Sequence, residues 1–181
     1  MSVCRAKFES ALRAHAPGCD AEASHRERML ELVGVAGDPF SRRHFEPGHF
    51  TASAFVLSPD EKSMLFIHHG KLHTWVQPGG HIDADDADVH AAARREVAEE
   101  TGLTDLQPVG TGVFDLDIHP IPPLGSEPAH EHFDVRYLLR SATWEFTAGD
   151  EVHHAKWIAL SQVAGRVSDA SCLRAVGKIR V

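Results

Sequence analysis

The residues best equipped for chemistry lie between Gly79 and Leu103, and their core is the run Arg95-Glu96-Val97-Ala98-Glu99-Glu100-Thr101-Gly102-Leu103. On a helix, the three- and four-residue spacing of Glu96, Glu99 and Glu100 puts them on one face, about one turn apart. Three like charges at that distance repel, and alone they cost stability. A divalent cation removes the cost. Mg²⁺ and Mn²⁺ prefer oxygen ligands and commonly bridge protein carboxylates to phosphates. Arg95, four residues before Glu99, can pair with that carboxylate or with an acid on a neighbouring loop and so fix its geometry. Upstream, Pro78-Gly79-Gly80 lets the backbone pass close to an ion, where a carbonyl oxygen can act as a ligand. Asp83, Asp85, Asp86 and Asp88 fill the interval. The competing reading of the same residues is a solvated acidic helix face held by intrahelical pairs.

These groups need a scaffold, and the hydrophobic pattern supplies one. Residues 88–101 are Ala-rich, preceded by carboxylates and stopped by Gly102, which predicts a helix. The small side chains of Ala91, Ala92, Ala93 and Ala98 allow it a close approach to the preceding loop. Extended segments are expected at Phe50–Leu57, Ser63–His68, Trp75–Gln77, Gln107–Ile118, His132–Leu139 and Ala155–Ile158. Pro78-Gly79-Gly80 reads as a stop, and 120–128 as a Pro-rich loop. Two helices are expected before the strands, over 5–16 and 20–35, and one closes the chain from Ser161 or after Ser168-Asp169. Strands on both sides of one central helix make this an α/β chain, a mixed sheet clamped between helices.

The bulk properties narrow the function classes. The 181 residues suit one domain with a short extension, and 43% of them are hydrophobic, enough for a full core. A net charge of −8 argues against sequence-independent binding of nucleic acid. No apolar run is long enough for a membrane helix, and residues 1–10 lack the apolar stretch of a secretory signal, so a cytoplasmic protein without a membrane partner is expected. Cys4, Cys19 and Cys172 show neither disulfide-framework nor zinc-ribbon spacing.

The stretch from Gly80 to Leu103 resembles the Nudix signature. In this family the pattern is Gly, five residues, Glu, seven residues, Arg-Glu, an aliphatic, any residue, Glu-Glu, any residue, Gly and an aliphatic. Arg95 through Leu103 match every fixed position. With Gly80 as the first glycine, Asp86 stands on the first Glu position and the loop carries one extra residue. A looser resemblance runs from about Pro39 to Leu160 and includes Gly48-His49-Phe50-Thr51-Ala52-Ser53-Ala54, Trp75-Val76-Gln77-Pro78-Gly79-Gly80-His81 and the run His130–Tyr137. The resemblance implies an α/β/α sandwich around a mixed sheet over residues 39–181, with an N-terminal helical extension over 1–38. It implies that the carbonyl of Gly79 (or Gly80), with Glu96, Glu99 and Glu100, holds one to three Mg²⁺ or Mn²⁺ ions. Glu96 is then a candidate base. So is Glu151, since many members draw their base from a later loop. The implied activity is hydrolysis of the diphosphate linkage in a nucleoside diphosphate derivative. Homodimers are frequent in the family. The alternative is a catalytically silent nucleotide sensor, although sensors usually have damaged signatures and this one keeps all three carboxylates. Diphosphate isomerisation lacks a supporting Cys and Glu pairing here.

Other residues stay open in function. The chain has 14 histidines. His119, His130, His132, His153 and His154 fall where they could border a cleft, and His130, His132 and Asp134 alternate onto one strand face. They read as polar contacts or as a second metal site. His68, His69 and His73 flank the loop before the signature. Arg42, Arg43, Lys71 and Arg136 are candidate phosphate or ribose contacts, or surface charges. Trp75, Phe114, Phe133 and Tyr137 are candidates for base stacking, or core.

Overall fold

In the computed structural model, strand β1 (Gly48–Leu57) is the spine, and all ten of its residues are buried. The cause is its position, because it is paired along both edges and covered on both faces. One edge runs parallel to β7 (His130–Ser141), in a register that sets His49 against His132 and Leu57 against Arg140. The other edge is shared by two antiparallel partners. These are β2 (Ser63–His69) at its C-terminal end and the short β4 (Gly79–His81) near its middle. β2 in turn pairs with β3 (Thr74–Val76) and β8 (Val152–Ala159), while β5 (Leu106–Pro108) and β6 (Asp115–Ile121) lie along β7. The structure describes residues 3–69, 74–147 and 152–179.

Alternation along β1 decides what covers each face. Phe50, Ala52, Ala54 and Val56 point to the same side as Phe133, Val135 and Leu139 of β7. Helix α3 (Val89–Thr101) packs there through Ala92, Ala93 and Val97. Ala91 and Ala98, expected with these alanines to ease the approach to the preceding loop, are only half-buried, because they fall off that stripe. The opposite face carries Phe55, Leu57, Met64, Phe66 and Leu138 under the 3₁₀ turn Leu160–Gly165 and α4 (Ala170–Val176). Toward the start of β1 that second face turns polar, with His49, Thr51 and Ser53 beside His132, Asp134 and Arg136.

The two N-terminal helices, α1 (Arg5–Ala14) and α2 (Asp20–Val33), belong to the same core as the sheet. Phe8 of α1 meets Phe40 and Phe50 edge-on at 5.4 and 4.9 Å between ring centroids. Glu22 of α2 is fully buried, and it accepts hydrogen bonds from the Gly18 N–H at 2.6 Å and from Lys178 at 2.7 Å, with His15 also at 2.7 Å. Lys178 reaches on to Asp115 at 3.1 Å, so one ionic cluster ties α2 to β6 and to the chain after α4.

The sheet departs from expectation in two places. Gln107–Ile118 is two strands, because Gly110, at φ +86°, opens an excursion over 109–114 before the chain rejoins β7. Pro78-Gly79-Gly80 does not end the extended chain. Instead it continues as β4, with Gly79 opposite Ser53 and His81 opposite Thr51. At the C-terminus both expected starts are occupied, the first by the 3₁₀ turn and the second by α4. Among the described residues, no helix is long and apolar enough to cross a membrane.

Candidate active site

Helix α3 owes its placement to local chemistry at both ends. Asp88 caps its N-terminus, accepting from the Ala91 N–H at 2.9 Å. Gly102 closes it in the left-handed conformation at φ +69°, which a side chain adopts at a cost. Buried alanines bring the helix down onto β1 and β4, so its carboxylate face meets the glycine pair of β4. The approach is close: a Cβ on Gly80 would sit 2.6–2.8 Å from the carboxylate atoms of Glu96. Gly79 offers its N–H to Glu100 Oε2 at 2.9 Å.

Arg95 organises the remaining acids. It grips Asp86 with two parallel hydrogen bonds, at 3.1 Å from Nε and 3.0 Å from Nη2. It also donates to the His81 carbonyl at 2.8 Å, to Glu96 Oε1 at 2.9 Å and to Glu99 Oε2 at 3.0 Å. Asp86 in turn accepts from the Asp83 N–H at 2.8 Å. The extra residue in the loop is thereby absorbed. The loop is longer by one position and the acid shorter by one methylene, and the carboxylate still meets the guanidinium.

The three carboxylates differ in environment. The side chain of Glu96 is 15% exposed and that of Glu99 59%. Burial pushes the Glu96 carboxyl above its ordinary pKa, and the neighbouring charges of Glu99 and Asp83 add to the shift, although Arg95 opposes it. A carboxylate so placed is a stronger proton acceptor than a solvated one. Glu96, Glu99, Glu100 and Gly79 are thus brought to one corner of the molecule. Glu151 lies outside the described residues, as do Lys71 and His73.

On the other side of β4, five imidazoles collect. His49, His81 and His132 present ring nitrogens that all lie within 4.8 Å of one another. The His130 ring stacks on His49 at 5.0 Å, and that of His119 lies 5.6 Å from His132. Burial pushes the pKa of His49 down to about 4 and that of His132 down to about 2, so both are neutral at neutral pH. The strand alternation announced His130 and His132. It did not announce His49 or His81, which join them only through the pairing of three separate strands. His154 takes no part, since it stands beside His68 at 6.4 Å on the β2–β8 side. The side chains of His69 and His153 lie outside those described.

The remaining candidates sort by burial. Arg136 is 3% exposed and bonded to Asp134 at 2.8 Å, to Asp117 at 3.2 Å and to Asp115 at 3.3 Å, so it is a structural cation rather than a phosphate contact. Phe133 and Tyr137 are core. Phe114 packs on Phe55, and Trp75 is half-buried beneath Lys156. Arg42 and Arg43 do reach an open cleft of about 480 Å³, together with Phe45, Ser126 and Glu127.

Comparison with known proteins agrees with this architecture. The family model for the NUDIX domain matches residues 47–176. A probable DHNTP pyrophosphohydrolase of Lactococcus lactis subsp. cremoris is 28% identical over 122 residues, covering 65% of this chain and 70% of that protein. The fold is similar to that of a NUDIX-family hydrolase from Clostridium perfringens (TM-score 0.56, 22% identity, covering 76% of this chain and 95% of that one). It is also similar to the E. coli dihydroneopterin triphosphate pyrophosphohydrolase (TM-score 0.52, 15% identity, covering 72% and 93%). With the signature helix seated against its glycine pair and the family match spanning most of the sequence, the chain belongs to the Nudix family, as a hydrolase of phosphorus-containing anhydrides.

Proposed function

We propose that this chain is a metal-dependent pyrophosphohydrolase that cleaves the diphosphate linkage of a nucleoside diphosphate derivative. The observation that carries the reading is the seating of Glu96 against Gly80, where the carboxylate fills the space a side chain would take. The donors fit a hard cation such as Mg²⁺ or Mn²⁺, because every side chain offered at this corner presents oxygen. Glu96, Glu99 and Glu100, with the Gly79 carbonyl, would hold it. When bound, such an ion polarises a phosphoryl oxygen and lowers the pKa of water.

The chain's own residues do the rest. Glu96, one oxygen of which accepts from Arg95, is the first candidate to take a proton from the attacking water. Burial has already raised its basicity. Arg95 is a positioning residue, because it holds Glu96 and Glu99 in place and is itself held by Asp86. Glu151, outside the described residues, is the second candidate base.

The test is release of phosphomonoesters from a panel of nucleoside diphosphate derivatives with Mg²⁺ or Mn²⁺. Dihydroneopterin triphosphate, a pterin rather than a nucleoside derivative, is run beside the panel because the Lactococcus relative carries that substrate in its name, and cleavage of it alone would redirect the substrate class. The expected result is cleavage of at least one compound, abolished in the Glu99→Gln, Glu100→Gln double variant. Cleavage that survives the double variant, or that proceeds undiminished in chelator, overturns the proposal.

A further inference from the structure

We propose that His49, His81 and His132 form a second metal site, for a divalent transition ion of the Zn²⁺ class, separate from the carboxylate corner. The three residues come from β1, β4 and β7. Parallel pairing sets His49 directly opposite His132, and antiparallel pairing sets His81 opposite Thr51, one side-chain position along the same sheet face. Their ring nitrogens all lie within 4.8 Å of one another, one from each strand.

The state of His49 gives the strongest support. Its Nδ1 lies 3.2 Å from the His44 carbonyl oxygen, which can only accept, so Nδ1 carries the proton and Nε2 presents a lone pair. Nε2 is buried, in a residue 1% exposed, and has no hydrogen-bond partner among the described residues. An orphaned buried acceptor is costly, and a bound cation is one way to recover that cost. His130, stacked on His49, likewise sets its Nδ1 against a carbonyl oxygen, that of Pro128 at 2.8 Å.

The donor set selects the ion. Neutral imidazole suits zinc, cobalt, nickel and copper, whereas Mg²⁺ seeks oxygen, so the two sites would not compete for one metal. At Zn–N bonds of about 2.0–2.1 Å, tetrahedral ligand nitrogens stand roughly 3.3 Å apart. Closing from 4.8 Å or less asks for about an ångström of side-chain movement, and the half-buried His81 and His132 have room for it. Three protein ligands leave a fourth position for water or a phosphate oxygen. Phe45, which lines the cleft beside Arg42 and Arg43, packs its ring 5.1 Å from His130 at the edge of the cluster.

The experiment is titration of the untagged, chelator-stripped full chain with Co²⁺, read by its visible absorption, followed by displacement with Zn²⁺. One ion per chain is expected. His49→Ala and His132→Ala should each weaken binding by at least about a hundredfold, the upper end of what loss of an outer partner alone costs. The Glu99→Gln, Glu100→Gln variant should bind as wild type does. His81→Ala, at a partly exposed position, serves as a third variant should His49→Ala fail to fold by circular dichroism. No binding to wild type, binding that survives all the histidine replacements, or binding lost with the carboxylates would each overturn the site.

Discussion

Replacing Gly80 by alanine tests the seating of Glu96 with a single methyl group. Gly80 lies outside the left-handed backbone region, so alanine meets no conformational penalty there. The added Cβ would stand 2.6 Å from Glu96 Oε2, and ordinary contact begins at 3.4 Å, so the carboxylate must withdraw by about 0.8 Å. It can do so, because the clash is with the far end of a flexible side chain. The fold should therefore survive, with a change in unfolding free energy below about 1 kcal/mol, as for substitutions that bury no new polar group. Catalysis should not be spared, since a misplacement of about 1 Å costs on the order of a hundredfold. The assay is kcat/KM for a substrate the wild type cleaves, with a urea melt alongside. A lower kcat at nearly constant KM would place the loss in the transition state. Gly79→Ala is the contrasting control. Its Cβ would lie 2.2 Å from Ser53 Cβ and 2.6 Å from Ser53 Cα, which cannot yield without parting β4 from β1, so that variant should lose stability as well as activity. A Gly80→Ala enzyme with wild-type kcat/KM would refute the argument that the position of Glu96 is set by this contact and needed for turnover.

Two further outcomes follow from the charged groups. Asp86→Ala removes the fork that orients Arg95 and should lower kcat/KM by about 10–100-fold, the usual effect of losing an outer partner, with Asp86→Glu recovering part of the loss. Stability should fall on the acid side through Glu22. Burial alone would raise its pKa, but Lys178, the Gly18 N–H and His15 hold it at about 2 against an ordinary 4.5. A depressed carboxylate contributes stability that is fully present above pH 4.5 and is lost as pH falls toward 2. Urea midpoints measured across that window should decline for wild type and flatten for Glu22→Gln, at a lower starting stability.

What could be read from the sequence was what local interactions determine. Helix α3 has its cap, its buried alanines and its αL stop within one stretch of chain, and its observed ends fall within a residue of expectation. α1 and α2 are legible from apolar spacing and from the Gly and Pro residues that follow them, and the Arg95–Asp86 fork is one of the two pairings the spacing allows. The hidden features depend on strand register. Gly110 splits one expected strand in two, yet its left-handed turn is invisible until both halves are seen lying along β7. Arg136 looked like a free cation because the three aspartates that surround it come from β6 and from its own strand, and only burial makes that pairing obligatory.

The same reasoning explains why β4 went unread, and it is the element that matters most. A Pro-Gly-Gly triplet is the ordinary signal for a turn, since glycine weakens a strand and offers no side chain to pack. Here the missing side chains are the reason the strand exists. Gly79 lets it press against Ser53, and Gly80 makes room for Glu96. His81 then alternates to the opposite face, where it meets His49 and His132, while its carbonyl stays bound to Arg95 at 2.8 Å. Three residues therefore connect the carboxylate corner on one side of the sheet with the imidazole cluster on the other. A shift of β4 along β1 by one residue would exchange the two faces, turning His81 toward the helix and a glycine toward the histidines. The register of this one short strand positions the groups of both proposed sites.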